Sequence, residues 1–184
     1  MSTIQTYSGL AFDLLAPKPE CVRIGDIAHS LSLLCRFNGH IRAFYSVAEH
    51  SITVSGLCSE DAKVYGLLHD AAEAYIGDLT RPLKRILGAR IAEIENGVHS
   101  AVLCAFGVPP PTAALARALA MADDAALLAE RRDLLPGEGH RWAEDEVAQA
   151  DRAIRLSHMM PPEAERCFLE HFYDLGLDYH DANS

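Results

Sequence analysis

Positive charge is what this sequence has too little of: 16 Lys and Arg stand against 26 Asp and Glu, a formal net charge of -10. Gripping a nucleic-acid polymer by neutralising many phosphates needs a basic face, so the balance argues against such a partner. A small anion is still a reasonable ligand where a metal and a few local Arg or Lys residues make one site positive. The chain also has no CxxC pair. Its five cysteines, Cys21, Cys35, Cys58, Cys104 and Cys167, are odd in number and widely spaced, which reads as buried thiols of a reducing compartment and not as a disulfide framework or a zinc knuckle. No apolar run is long enough to span a bilayer, and the first residues show neither a basic stretch leading into an apolar one nor a cleavage pattern. The expectation is a cytoplasmic protein with no membrane partner. Internal repeats, low-complexity segments and interdomain linkers are absent as well.

What is there suits one domain: 184 residues, 49% of them apolar, can bury a core of ordinary size. Residues 1–25, with Tyr7-Ser8-Gly9 and the Pro17-Lys18-Pro19 break, read as a short extended or hairpin lead-in. Helical spacing then dominates over 26–177. Asp26 is placed to cap a helix carrying Ile27, Leu31 and Leu34 that runs out near Phe37-Asn38-Gly39. Ser46-Val47-Ala48-Glu49 fits a capping box, which starts a helix and puts His50 in its first turns. Ser59 caps a further helix through Leu67, Leu68, His69 and Asp70 to just before Gly77, and Arg81 to Leu87 is a short helix with proline near its start. Ile91, Ile94, Val98, Val102 and Ala105 form one apolar stripe, stopped by Gly107 and three prolines. A long helix is predicted from Thr112 to about Leu135, then a polar loop from Pro136 to Glu144 around Trp142, a last helix over Pro162 to Leu175, and a polar tail over 178–184.

The chemistry concentrates in His69-Asp70-Ala71-Ala72-Glu73, followed at the helix end by Gly77-Asp78. Adjacent His and Asp offer an imidazole nitrogen and a carboxylate oxygen to one ion, a mixture suited to Mn, Fe, Co, Ni or Zn and not to Ca. In a regular helix Glu73 shares a face with His69, and Asp78 sits where a loop can bring it to the rim of the same site. The competing reading makes His69 and Asp70 a buried hydrogen-bonded pair and Glu73 a solvated charge. His50, on a separate helix, is by itself more often a satisfied core histidine than a ligand. Asp123-Asp124 interrupts an apolar run from Leu115 to Leu128, and a carboxylate on such a helix needs a cation or donors nearby. At about 100° per residue, Asp123 lies close to the Leu115, Leu119, Ala126 face and Asp124 points away from it.

His50, His69-Asp70 and a distant Asp, in that order, resemble the metal signature of the HD-domain superfamily. Val47-Ala48-Glu49-His50-Ser51, and His69-Asp70 through Gly77-Asp78-Leu79 to Pro82 and Lys84, are closer still to its bacterial 5'-deoxynucleotidases. The resemblance covers roughly residues 31–135. It implies an all-α, single-domain helical bundle of the HD type, with one divalent ion (Co, Mn, Zn, Fe or Ni) held by His50, His69, Asp70 and Asp123. The family's alanine-then-aspartate pattern matches Ala122-Asp123.

The implied activity is release of phosphate from (deoxy)nucleoside 5'-monophosphates. Glu73 and Asp78 would handle protons as the catalytic pair, Asp78 being the more damaging loss. In the related nucleotidases an arginine followed by an aromatic, before the first metal histidine, contacts substrate; here the pair is Arg36-Phe37, with Phe where an indole is expected. An alternative keeps Arg36 as a charge at a helix C-terminus and Phe37 as core. Arg81 and Lys84, close after Asp78, are the further substrate candidates. Rival functions are a deoxynucleoside triphosphate hydrolase of the same superfamily and, from another class, a non-catalytic metal- or nucleotide-binding regulatory module. The partner implied is a small nucleotide. A homodimer or higher homo-oligomer is also in view, with the Ile91 to Ala105 helix and the Cys167 to Tyr173 segment as alternative interface or core.

Overall fold

The computed structural model describes residues 2–136 and 153–177. The predicted loop beyond Pro136 and the polar tail over 178–184 lie outside the described residues. Within them the chain is mostly helical, with one small sheet. β1 (Thr3–Gln5) and β2 (Ala11–Asp13) pair antiparallel, Ile4 opposite Phe12, closing the expected hairpin. Alternation points Phe12 inward, where it is fully buried and stacks on Tyr75 at 4.0 Å between ring centroids. At the hairpin tip, Tyr7 stacks on His29 at 3.6 Å.

Asp26 is what ties this hairpin down: it accepts from the Ser8 amide at 2.6 Å and the Ser8 hydroxyl at 2.8 Å. The expected cap at Asp26 is therefore corrected. α1 runs Ile24–Leu33, Asp26 lies buried in its first turn, and Arg23 precedes it with no side-chain cap. Leu34 ends the helix, and Arg36–Gly39 forms a tight turn in which Phe37 and Asn38 take positive φ, 55° and 51°. An isolated bridge between Cys35 and Ser46, with Arg36 donating its amide to Tyr45 O, folds this loop back onto the start of α2.

α2 (Val47–Leu57) starts where Ser46 predicts, its hydroxyl accepting from the Glu49 amide at 3.1 Å. It is the central helix, packed against α1, α3 (Lys63–Leu68), α7 (Ala113–Leu134) and α8 (Pro161–Asp174). Gly66 lets α3 press onto it: a Cβ there would lie 2.7 Å from the Ser55 Cα, a backbone contact that cannot yield cheaply. The single helix expected from Ser59 to Gly77 is broken. Ser59 makes no cap bond, Glu60–Ala62 is a 3-10 turn, and α3 ends at Leu68. Amides of Ala71, Glu73, Ala74 and Tyr75 then bond three residues back instead of four, and α4 (Glu73–Ile76) closes at Gly77, whose φ of 83° suits glycine.

α5 (Arg81–Leu87) and α6 (Ala89–Ala105) follow as predicted. The apolar stripe of α6 serves the core at its C-terminal end, where Val98, Ala101 and Val102 are buried, and Phe168 and Phe172 of α8 are fully buried too. Thr112 caps α7 by accepting from the Leu115 amide. All five cysteines are free, but none is fully buried as expected: Cys104 is exposed in the last turn of α6 and the others are half-buried. Among the described residues no helix is long and apolar enough to cross a membrane.

Candidate metal centre

Three helical segments deliver the site. The Ser46 cap sets His50 in the first turn of α2, fully buried; His69 and Asp70 leave the end of α3; and Asp123 stands midway along α7. The Nε2 atoms of His50 and His69 are 3.2 Å apart. Asp123 Oδ1 lies 3.2 Å from His50 Nε2 and 4.0 Å from His69 Nε2, and Asp70 Oδ2 lies 3.5 and 3.1 Å from the same two nitrogens. One ligand atom from each of His50, His69 and Asp123 can be chosen so that all lie within 4.8 Å of one another.

The partners on the far side of each ring decide which nitrogens face the centre. His69 Nδ1 is 2.8 Å from Gly66 O, and His50 Nδ1 is 2.6 Å from Glu130 Oε1. A carbonyl only accepts, and so does an ionised carboxylate, so both Nδ1 atoms carry hydrogen and both neutral imidazoles turn a lone pair inward at Nε2. Two lone pairs and the Asp123 carboxylate thus form a group that could hold a metal ion, and Asp70 Oδ2 lies near both nitrogens. Nitrogen and oxygen donors of this mixture are of a kind that metal ions accept.

Without such an ion, protons take its place. Burial opposes charge on His69, but the Asp70 carboxylate outweighs it and pushes the imidazole up to about 9. His50 is raised as well: burial and Arg36 oppose its charge, and Glu130 and Asp123 overcome them. Burial works against Asp70 too, yet His69, His50 and Arg36 hold it far below the usual carboxylate range; Asp123 falls to about 2 against its own burial through His50 and His69.

The choice between the paired aspartates follows the helical geometry. Asp123 faces the histidines, whereas Asp124 is exposed and accepts from Arg81. Arg81, expected at the substrate, donates to Asp123 Oδ2 at 2.9 Å and to Asp124 Oδ1 at 3.2 Å. Lys84, also expected there, is engaged within the protein: its Nζ lies 3.1 Å from Glu73 and 2.6 Å from Glu95.

Glu73 is buried, with one carboxyl oxygen unpartnered, and is pushed up to about 9 by burial first and then by Asp70 and Asp78. The expectation that Glu73 shares the His69 face assumed a regular helix; the tightened turn between them replaces that geometry. Asp78 is raised by burial and by Asp70, with Arg36 and Lys84 opposing.

Arg36 is in neither expected setting alone. It is buried off the end of α1, donating Nε and Nη2 to Glu130 Oε2 at 3.0 and 2.9 Å, while its Nη1 stands 3.8 Å from Asp70 Oδ2. Burial costs it, but Glu130, Asp70, Asp78 and Asp123 keep it charged. Its guanidinium lies 5.4 Å from the half-buried Phe37 ring.

Glu130 is the residue that sequence reasoning missed. It is fully buried. The signal was there: it lies seven residues after Asp123 on α7, two turns along the same face, but the Glu130-Arg131-Arg132-Asp133 run reads as solvated charge.

No family model matches the chain. It is 36% identical over 176 residues to the uncharacterized protein YfdR of Escherichia coli (strain K12), covering 96% of this chain and 97% of that one. It is also 35% identical over 179 residues to an uncharacterized protein of Rhodobacter capsulatus, RCAP_rcc00048, covering 88% of this chain and 89% of the other.

Proposed function

This chain belongs to the family of YfdR, and we propose that it is a metal-dependent phosphohydrolase of the HD-domain superfamily, releasing phosphate from (deoxy)nucleoside 5'-monophosphates in the cytoplasm. The observation that carries the reading is the convergence of two imidazole lone pairs and two carboxylates, from His50, His69, Asp70 and Asp123, beside a buried arginine. A divalent ion held by these four residues would supply a Lewis acid and an activated water.

The chain's own residues do the rest. Arg36 is a fixed cation beside Asp70, suited to balance charge growing on a phosphoryl group. Asp78, raised from its ordinary value by burial and by Asp70, takes up a proton more readily than a solvated carboxylate. Glu73, with Lys84 on one oxygen and the other unpartnered, is the second proton carrier. Arg81 reaches the outer oxygen of Asp123 and steadies that ligand from the solvent side.

The test is phosphate, diphosphate and triphosphate release from a panel of nucleoside and deoxynucleoside mono-, di- and triphosphates, using protein reconstituted with several divalent ions. Orthophosphate from deoxynucleoside monophosphates, abolished by a chelator, is expected. Triphosphate release would favour the triphosphohydrolase alternative. Absence of turnover with every nucleotide and ion would sink the hydrolase reading and leave a binding module.

A further inference from the structure

Glu130 stands between the two functional halves of the site, and its two oxygens hold different partners. Oε1 takes the Nδ1 hydrogen of His50 at 2.6 Å; Oε2 takes Nε and Nη2 of Arg36 at 3.0 and 2.9 Å. It shares α7 with Asp123, and the segment bearing Arg36 is held in place by the Arg36 amide on Tyr45 O and the Arg42 amide on Leu134 O. We propose that Glu130 is a positioning residue that fixes the His50 tautomer and the Arg36 guanidinium at once, so that metal binding and anion binding at this site depend on the same buried carboxylate. The inference rests on the metal-site reading given above; it adds a coupling that neither the ligands nor Arg36 possess separately.

Hydrogen-bond chemistry gives the reason a carboxylate is required. Both oxygens of an ionised glutamate accept, and here both partners donate. A glutamine has the same shape but one accepting and one donating end. With its oxygen toward Arg36, its NH2 meets His50 Nδ1 and demands a lone pair there, which moves the imidazole hydrogen to Nε2 and removes the lone pair a metal needs. With its oxygen toward His50, its NH2 faces the guanidinium donors and Arg36 loses its anchor. Either way one half fails. Outer partners of metal-bound histidines matter by about 10–100-fold in metal affinity.

The experiment uses the full chain and Glu130→Gln, with Glu130→Asp as the variant that keeps two accepting oxygens. Cobalt affinity and the visible absorption band of the bound cobalt are measured, followed by inorganic phosphate binding to cobalt-saturated protein by calorimetry. Thermal unfolding of the metal-free proteins is recorded alongside. In Glu130→Gln a loss of about tenfold or more is expected in cobalt affinity or, at saturating cobalt, in phosphate affinity; Glu130→Asp should recover part of it.

Wild-type cobalt and phosphate affinities with an unshifted band in Glu130→Gln would overturn the proposal. So would a lowered unfolding temperature with both affinities unchanged, since that is packing alone. A wild-type chain that binds cobalt and phosphate but hydrolyses no nucleotide would defeat the phosphohydrolase reading and leave this coupling standing. A wild-type chain that takes up no cobalt would overturn both.

Discussion

α2 and α5 flank the same cluster of charges and are built in opposite ways. Seven of the eleven residues of α2 are buried; none of the seven in α5 is. α2 carries His50 with its ring locked from behind, while α5 carries Arg81 and Lys84 on a helix whose Ile86 is 81% exposed. A metal ligand has to be held within about half an ångström, and a helix packed on several neighbours is suited to that. Cations that meet a carboxylate from the solvent side tolerate a looser base. The site is therefore graded by depth, from imidazoles held by burial to arginine and lysine held by their own ion pairs.

Four measurements would break or sharpen this contrast. The largest effect is expected at the deep end: His50→Ala should lower metal affinity by more than about 100-fold, beyond the range for outer partners, as read by elemental analysis after dialysis. Asp123→Ala should lose metal and Asp124→Ala keep it; full occupancy in Asp123→Ala would move the ligand to the exposed neighbour. Second, Gly66→Ala should destabilise the fold by about 1–3 kcal/mol through overpacking, because its methyl meets Ser55 backbone. Thermal or denaturant unfolding measures this, and an unchanged midpoint would mean that α2 and α3 are not held so closely.

The third measurement is pH. In metal-free protein the pKa of His69, about 9, lies above its ordinary 6.5. Its contribution to stability is fully present below pH 6.5 and is lost as the pH climbs through about 9. Glu73, raised from 4.5 to about 9, acts in the same direction, since ionising it in place costs more than ionising it in the unfolded chain. The unfolding temperature of chelator-treated protein is expected to fall across that window, while cobalt affinity rises there because metal displaces protons. A metal-free protein that grows more stable between pH 6.5 and 9 would contradict the convergence of charges on the imidazoles. The smallest effect is reserved for α5: Ile86→Lys should change stability by no more than about 0.5 kcal/mol. A larger loss would show that α5 is less open than its exposure indicates.

The elements most legible in the sequence were those governed by local chemistry. Ser46 and Thr112 cap the helices they announce, Gly77 ends α4, and the antiparallel lead-in follows its turn residues. The candidate metal residues stood out as polar interruptions on apolar helices, but that patterning left His50 and His69-Asp70 open to a structural role, and only their order, which resembles the HD signature, joined them into one set. What escaped was set by distant partners. Asp26 has the composition of a cap but binds Ser8, eighteen residues earlier, and Ser59 precedes a 3-10 turn in which its carbonyl, not its side chain, accepts the Ala62 amide. Glu130 bonds His50 and Arg36 across 80 and 94 residues, and nothing in a solvated-looking charge run signals that. The 3-10 tightening after His69 was hidden because alanine-rich sequence is compatible with either winding.

The capping box at Ser46 is only half closed, and the other half has a consequence for how the protein is made. Glu49 does not turn back to the serine; its carboxylate accepts the amides of Ser157, His158 and Met159 at 2.8, 2.7 and 2.8 Å. Those amides belong to chain synthesised 108 to 110 residues after the glutamate they bind. In chain order the candidate metal residues, through Asp123, all precede the three amides, so Glu49, the residue before His50, lacks these donors until they have been made. The N-terminal end of α2 thus gains these three hydrogen bonds only once chain far beyond Asp123 has been made.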